Sequence, residues 1–141
     1  MNANVFDQAG LREPDASLVT YTHVIYALHA LGVLIGVTGP ATIVGNFVFG
    51  LPSIVAVILN YVRRKDVRGT YLESHFSWQI RTFWFALLWM SLAVVISAPL
   101  VLLLGLGIFT FFIAALLVGI WVIYRIARGW LRLRDGQPVS P

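Results

Sequence analysis

Residues 16–62 decide the fold. They read ASLVTYTHVIYALHALGVLIGVTGPATIVGNFVFGLPSIVAVILNYV and contain no Asp, Glu, Lys or Arg. Residues 82–124 form a second stretch without those charges. A helix needs about 20 apolar residues to cross the hydrocarbon core of a bilayer, so each stretch is long enough for two crossings. One helix over residues 16–62 would instead be about 70 Å long, which no bilayer matches. We therefore expect each stretch to fold as a helical hairpin.

Turn-forming residues lie near the middle of both stretches. The first has Gly39 and Pro40, and the second has Pro99 followed by Gly105 and Gly107. Because Gly and Pro interrupt regular helices, the sequence predicts an all-α membrane protein with four transmembrane helices arranged as two hairpins. The predicted spans lie near residues 19–37, 44–62, 79–98 and 106–125. They form one domain, residues 19–125, between a polar N-terminal tail, residues 1–18, and an interfacial C-terminal tail, residues 126–141.

The composition fits a membrane protein and excludes several other classes. Of the 141 residues, 59% are hydrophobic and only 11% are charged, whereas a soluble domain carries about 25% charged residues. The absence of cysteine excludes disulfides and thiolate metal sites. The first 18 residues are polar and include Asp7, Glu13 and Asp15, so they do not match the basic start of a secretory signal peptide.

The basic residues indicate how the spans are oriented. None of the ten Lys and Arg residues lies in the turn of either predicted hairpin. Because positive residues stay on the cytoplasmic side, we expect both termini and the central loop to lie inside. This placement beside the membrane argues against a nucleic-acid partner. Eight basic residues are expected to face anionic lipid: Arg63, Arg64, Lys65, Arg68, Arg125, Arg128, Arg132 and Arg134.

The loop between the second and third spans carries the most polar sequence. Thr70 and Glu73 have the spacing of a capping box, which predicts that the third helix begins near Tyr71, ahead of the membrane. Residues at spacing four then share a helical face. The predicted polar cluster on the cytoplasmic side contains Glu73, His75, Gln79, Arg81, Asn60 and His23. These residues form either a functional site that opens to the cytoplasm or a set of interfacial anchors.

The histidines raise the question of a cofactor. His23 and His75 are predicted at the same depth in different spans, and such a pair is able to ligate haem iron. The alternative is hydrogen bonding between helices, and no cofactor or metal ion is expected. His29, deeper in the first span, is an intramembrane polar candidate, because ionisable groups inside membranes are commonly functional.

Small residues and one proline shape the predicted packing. Gly32 and Gly36 form a GxxxG pair, which lets helices approach closely. Pro52 predicts a kink in the second span, because a proline inside a helix removes one backbone hydrogen bond. The tail after Arg125 has a basic face and an apolar face, which predicts an amphipathic helix along the inner leaflet. Gly129 weakens that prediction, because glycine disfavours helix.

Parts of the sequence resemble a known family. Residues 26–32 (YALHALG), residues 60–84 with their HFSWQIR motif, and residues 124–131 (YRIARGWL) resemble a bacterial family of small uncharacterised inner-membrane proteins. That family is similar to the membrane subunit of the chloroplast inner-envelope translocon, the Tic complex. The resemblance runs from about residue 20 to residue 136 and implies a four-helix protein of the bacterial inner membrane. It implies no assigned activity.

No catalytic motif accompanies these features. The sequence has no nucleophile elbow, phosphate-binding loop, zinc-protease motif or dinucleotide fingerprint. We therefore expect a protein without its own catalysis, acting as an accessory, assembly or scaffold subunit through its cytoplasmic surface. Its expected partners are the lipid bilayer and another membrane protein or further copies of itself. Two alternatives stay open: an oligomeric channel or protein-translocation component, and a haem- or quinone-associated redox subunit.

Overall fold

Four α-helices make up the fold in the computed structural model, which describes residues 10–38, 43–103 and 105–140. They are α1 (Ala16–Thr38), α2 (Ile43–Val62), α3 (Leu72–Leu102) and α4 (Leu106–Arg134). Across these described ranges there is no strand, only an isolated parallel bridge between Arg12 and Thr70. The prediction of an all-α protein with four helices is confirmed.

Three of the helices are long and apolar enough to cross a membrane. The qualifying segments are Ala16–Gly36, Leu72–Val101 and Leu106–Arg134. In α2 the apolar segment found among the described residues, Gly50–Val62, is shorter. Pro52 lies inside α2, and the helix runs through it without a break. The chain therefore has the build of a multi-pass membrane protein.

Helices α3 and α4 extend beyond the predicted spans on the side of the polar sequence. Helix α3 begins at Leu72, which confirms the predicted start near Tyr71. Helix α4 continues to Arg134 without interruption, so residues 126–134 are a direct extension of the fourth helix. In each of these helices the apolar segment and the polar residues at this end belong to one uninterrupted helix.

The start of α3 differs from the predicted capping box. The hydroxyl of Thr70 accepts from the backbone N–H of Leu72 (3.2 Å), and the carboxylate of Glu73 accepts from the N–H of Gly69 (3.0 Å). In a standard capping box the Thr70 hydroxyl would accept from the Glu73 N–H, and the Glu73 carboxylate would accept from the Thr70 N–H. Each observed bond uses instead the N–H one residue earlier. The reason is that the Thr70 N–H already donates to the carbonyl of Val67 (3.1 Å), which leaves the Gly69 N–H for the carboxylate.

Helices α3 and α4 run antiparallel and pack closely. Two hydrogen bonds fix their register, one between Arg125 and Thr82 and one between Ser97 and Thr110. At Gly107 a Cβ atom would collide with the backbone of α3 at the carbonyl of Ser97. Gly107 is therefore a packing residue as well as part of the turn, because only glycine permits this approach.

One end of the bundle holds nearly all of the buried core. We call it the polar end: residues 10–15, the connector 63–71 and the tail 135–140, with the helix ends they join. Hydrogen bonds tie these segments together, from the Arg12 N–H to the Gly69 carbonyl (2.8 Å) and from the Val139 N–H to the Ser74 side-chain hydroxyl (3.0 Å). The core there includes Ile25, Tyr26, Val67, Leu72, Phe76 and Leu133.

The remainder of α3 and α4 presents apolar side chains outward. Val95 is 68% exposed and Phe109 is 71% exposed. Large exposed apolar patches are rare on soluble monomers. A bilayer is able to cover such patches, because a helix forms all of its backbone hydrogen bonds internally and leaves none for water to satisfy. The bundle is thus asymmetric, with a packed polar end and an apolar body.

Candidate functional site

His75 joins three parts of the chain at the polar end. It is fully buried on α3, with Nδ1 3.0 Å from the hydroxyl of Tyr26 on α1 and Nε2 2.8 Å from the backbone carbonyl of Gln137. A carbonyl oxygen only accepts, so Nε2 carries a hydrogen, and in the neutral ring Nδ1 accepts from the Tyr26 hydroxyl. Both ring nitrogens of His75 are therefore engaged.

The sequence after α4 explains why the Gln137 carbonyl reaches His75. Gly136 has φ +63°, its N–H donates to the Leu133 carbonyl (3.0 Å), and the Gln137 N–H donates to the Arg132 carbonyl (2.9 Å). This pair of bonds is the Schellman motif that ends helices at a left-handed glycine. The motif folds the tail back over the polar end, where Gln137 meets His75.

Tyr26 lies at the centre of an aromatic cluster. Its ring stacks on Trp130, with centroids 6.3 Å apart and planes 12° apart, and it meets the edge of His75 at 6.0 Å. The Tyr26 hydroxyl and ring lie directly over Gly129, where a Cβ atom would collide with them. Gly129 therefore provides the space for Tyr26, and α4 stays helical through it because tertiary packing outweighs helix propensity.

His23 is connected to this cluster through Trp130. The indole Nε1 of Trp130 donates to Nδ1 of His23 (2.9 Å), so in the neutral ring Nε2 of His23 carries the hydrogen. His23 accepts from the N–H of this indole, and Tyr26, three residues further along α1, stacks on its face. The structure thus brings the two histidines of the predicted cluster together through Trp130 and Tyr26.

A cleft opens beside His23. Its volume is about 460 Å³, and its lining includes Glu13, Thr20, His23, Tyr71 and Arg134. A carboxylate, an imidazole and a guanidinium therefore lie around one concave surface. The arrangement is able to bind a polar or charged group.

The other predicted members of the cluster separate into two groups. Glu73 and Arg81 are exposed, and Glu73 serves the start of α3. Asn60 and Gln79 are buried, at 0% and 2% exposure. Both amide heads, and Nε2 of the buried His29 on α1, have no hydrogen-bond partner among the described residues. Buried polar groups are usually paired, so these side chains on α1, α2 and α3 are candidates for contact with water or another polar species.

Arg125 departs from the predicted lipid-facing role. Its guanidinium lies 3.5 Å from the ring centre of Trp78, and Nε donates to the hydroxyl of Thr82 (2.7 Å). The Trp78 indole in turn donates to the Arg125 carbonyl (2.9 Å). Arg125 is half-buried against α3 because a guanidinium stacks well on an aromatic face, so it links α3 and α4.

The remaining basic residues lie at or near the surface of the polar end. Arg63 pairs with Asp66 (2.7 Å), Arg134 pairs with Asp135 (3.2 Å), and Arg132 donates to the side chain of Gln137 (2.7 Å). Arg64, Lys65 and Arg68 are exposed. Arg128 lies 5.3 Å from the Trp78 ring and donates to the Tyr124 hydroxyl (3.2 Å).

The histidine geometry does not fit a haem held between His23 and His75. Both ring nitrogens of His75 are occupied by hydrogen bonds within the protein, and iron ligation needs a free nitrogen lone pair. Over the described part of the chain, no group of three or more His, Asp or Glu side chains has the arrangement of a metal site.

The GxxxG pair is only partly involved in packing. Gly32 is buried, whereas Gly36 is exposed, and no atom of the described chain lies within 4 Å of the place where its Cβ would be. Close approach between helices occurs instead at Gly107 and Gly129. The reason is that a glycine becomes a contact only when a neighbouring helix crosses at its depth, and sequence spacing does not give the crossing point.

Several residues of the site were not predicted: Tyr26, Trp130, Gln137 and Gly129. One signal was present in the sequence. Gly129 interrupts an otherwise good amphipathic helix and precedes a Trp, and an isolated glycine in a helical pattern suggests a close contact.

Known proteins offer no guide to this arrangement. No family model, no curated protein and no solved structure matches the chain significantly. The function is therefore inferred from the polar end itself.

Proposed function

We propose that this chain is an integral protein of the bacterial inner membrane that crosses it four times, with both termini inside. In this proposal it acts without its own catalysis, as an accessory or assembly subunit that presents its polar end to a partner. The observation that supports the proposal is the build of the polar end, where the N-terminal segment, the connector and the tail meet in one hydrogen-bonded unit.

The polar end has the properties of a rigid docking surface. Its interior is fixed by His75, Tyr26 and Trp130, whose polar atoms are paired. Its exterior carries Arg64 and Lys65 on the exposed connector. A preorganised surface loses little conformational freedom on binding, which favours association. Charge on the connector would give the surface selectivity for a partner with acidic groups.

The placement in the membrane follows from the same asymmetry. Basic residues gather at the polar end, where the positive-inside rule places the cytoplasm. Four crossings would bring both tails and the connector to that side. The resemblance of residues 60–84 to the family similar to the Tic membrane subunit is part of this proposal.

Purification from native membranes tests the subunit role. We expect the tagged full-length chain, extracted in mild detergent, to retain a stoichiometric membrane protein or further copies of itself, identified by mass spectrometry. Exchanging Arg64 and Lys65 for Gln should reduce partner recovery several-fold, while the charge-preserving exchanges Arg64→Lys and Lys65→Arg should not. A monodisperse wild-type chain with neither partner nor self-association would contradict the role.

A second function is favoured by the unpaired buried groups. His29, Asn60 and Gln79 place polar atoms without partners, among the described residues, inside three helices. Polar groups in this position line the pathways of channels and transporters. Four helices enclose no wide pore alone, so this function requires an oligomer. Flux through proteoliposomes should then fall in Asn60→Leu and Gln79→Leu variants, and the absence of flux from intact oligomers would exclude it.

A further inference from the structure

Two cavities lie end to end along the seam where α1 packs against α4. The first is the cleft of about 460 Å³ beside His23. The second is a groove of about 320 Å³, deeper in the bundle, between Ala30 and Leu34 of α1 and Ala127 of α4. Trp130 lines the groove and donates to His23, which lines the cleft. The Trp130–His23 hydrogen bond therefore lies between the two cavities.

One cavity is lined by apolar side chains and the other includes charged ones, which matches the apolar chain and the polar head of a lipid. The groove is lined by Ala, Val, Leu and Ile side chains together with Trp130. The cleft carries the carboxylate of Glu13, the imidazole of His23 and the guanidinium of Arg134. An apolar cavity and a charged cavity that follow one another along the same pair of helices suit a molecule with an apolar chain and a polar head.

The dimensions of the seam also fit. From Thr20 in the cleft to Leu34 in the groove, α1 rises about 21 Å at 1.5 Å per residue. This length exceeds half of the hydrocarbon core, which is about 30 Å thick. A lipid bound along the seam, with its head in the cleft, would therefore extend from the interface to the middle of the bilayer. The groove itself covers Ala30 to Leu34 of α1, about 6 Å of that rise.

We propose that the seam between α1 and α4 binds one phospholipid, with an acyl chain in the groove and the phosphate head in the cleft. The inference rests on the placement of the helices in a membrane and not on the partner-binding role. Nε2 of His23 and the guanidinium of Arg134 are the hydrogen-bond donors for phosphate oxygens. The Glu13 carboxylate complements an ammonium group, so the seam favours an ethanolamine head over a glycerol head.

Larger side chains placed in the groove test whether it holds an acyl chain. Full-length protein is reconstituted with equal amounts of palmitoyl-oleoyl phosphatidylethanolamine and phosphatidylglycerol, extracted, and examined by native mass spectrometry. Wild type should retain one phospholipid per chain. The variants Ala30→Phe and Ala127→Phe, which fill the groove from opposite helices, should each retain at least about tenfold less. Ala98→Phe, on an exposed position of α3, is the matched control and should retain the wild-type amount.

The polar part is tested by neutralising single charges. Glu13→Gln should abolish the preference for the ethanolamine lipid, and Arg134→Gln should reduce retention of both lipids about fivefold. Arg81→Gln, an exposed charge on α3 that lines neither cavity, is the control. The helical content and melting temperature of every variant are measured to check that the variant is folded.

Two results would overturn the lipid site: a wild-type chain that retains no phospholipid, or equal retention by Ala30→Phe, Ala127→Phe and Ala98→Phe. Fractionation of the same cells separates this failure from a failure of the membrane placement. A chain that is recovered with the membranes but retains no lipid contradicts the lipid site alone.

Discussion

Gly129 and Tyr26 show how one missing side chain organises the polar end. The Tyr26 ring occupies the space over Gly129, stacks on Trp130 and donates its hydroxyl to His75. From the sequence, Gly129 counts only as a residue that weakens a helix. Its role in packing depends on a residue more than a hundred positions away, which local patterns do not reveal.

Replacing Gly129 with Ala should destabilise the protein, although helix propensity alone favours the exchange by about 1 kcal/mol. The added methyl group collides with Tyr26, and overpacking of this kind costs about 1–3 kcal/mol. We expect a lower melting temperature in detergent. Gly119→Ala is the matched control, because Gly119 lies on the same helix with nothing within 4 Å of its missing Cβ. A Gly129→Ala variant as stable as Gly119→Ala would show that Tyr26 does not occupy this position.

The hydroxyl of Tyr26 completes the hydrogen bonding of His75. Tyr26→Phe keeps the ring stack but leaves Nδ1 of His75 without a donor in a buried position. Leaving a buried acceptor unpaired costs about 1–3 kcal/mol. The melting temperature should therefore fall in Tyr26→Phe, and the exchange should have little further effect once His75 is replaced by Phe. Equal losses in both backgrounds would mean that the two side chains are not coupled.

At the scale of elements, the charge pattern predicts the number and order of the helices better than the residues at which they end. The existence and order of all four helices, and the start of α3 near Tyr71, follow from the charge-free stretches and the polar loop. The continuation of α4 to Arg134 agrees with the amphipathic helix predicted after Arg125, although Gly129 weakens that prediction. The contact of Gln137 with His75 requires a turn whose direction only the folded chain defines.

The start of α1 is set by Asp15. Its carboxylate accepts from the Ser17 N–H (2.9 Å), and its carbonyl accepts from Leu18 and Val19. The backbone hydrogen bond from Ser17 lowers the pKa of Asp15 below its ordinary value of 3.8. A carboxyl with a lowered pKa stabilises the fold fully above the unfolded value, and this contribution is lost as the pH falls through the folded value.

Exchanging Asp15 should therefore have a pH-dependent effect. Asp15→Ala should lower the melting temperature at pH 7, and its difference from wild type should shrink as the pH falls below about 3.8. Asp15→Asn, which still accepts a hydrogen bond and caps helices well, should retain most of the stability at pH 7. Thermal unfolding followed by circular dichroism measures both. A difference that does not change with pH would assign the effect to something other than the carboxylate.

At the scale of the whole molecule, the distribution of burial is the main finding. The core lies at the polar end, and the apolar faces of α3 and α4 are exposed along much of their length. The class of protein could be predicted from charge-free stretches alone, because a bilayer imposes the same constraint on every spanning helix. The arrangement of the polar end could not, since it joins segments that are distant in sequence, as His75 and Gln137 are.

The same asymmetry underlies the proposed topology. Four crossings would place residues 63–71 and the tail together on the cytoplasmic side and leave the two uncharged turns outside. Three helices meet the length and apolarity of a span among the described residues, and α2 decides whether the chain crosses the membrane three times or four.

Single-cysteine labelling tests that topology most directly, because the chain contains no cysteine of its own. Cysteines are introduced singly as Lys65→Cys, Ser140→Cys, Ala41→Cys and Leu104→Cys, and intact cells are treated with a thiol reagent that does not cross the inner membrane. We predict labelling from outside at positions 41 and 104, and labelling at positions 65 and 140 only after the membrane is permeabilised. Labelling of positions 41 and 65 from the same side would contradict the four-span account.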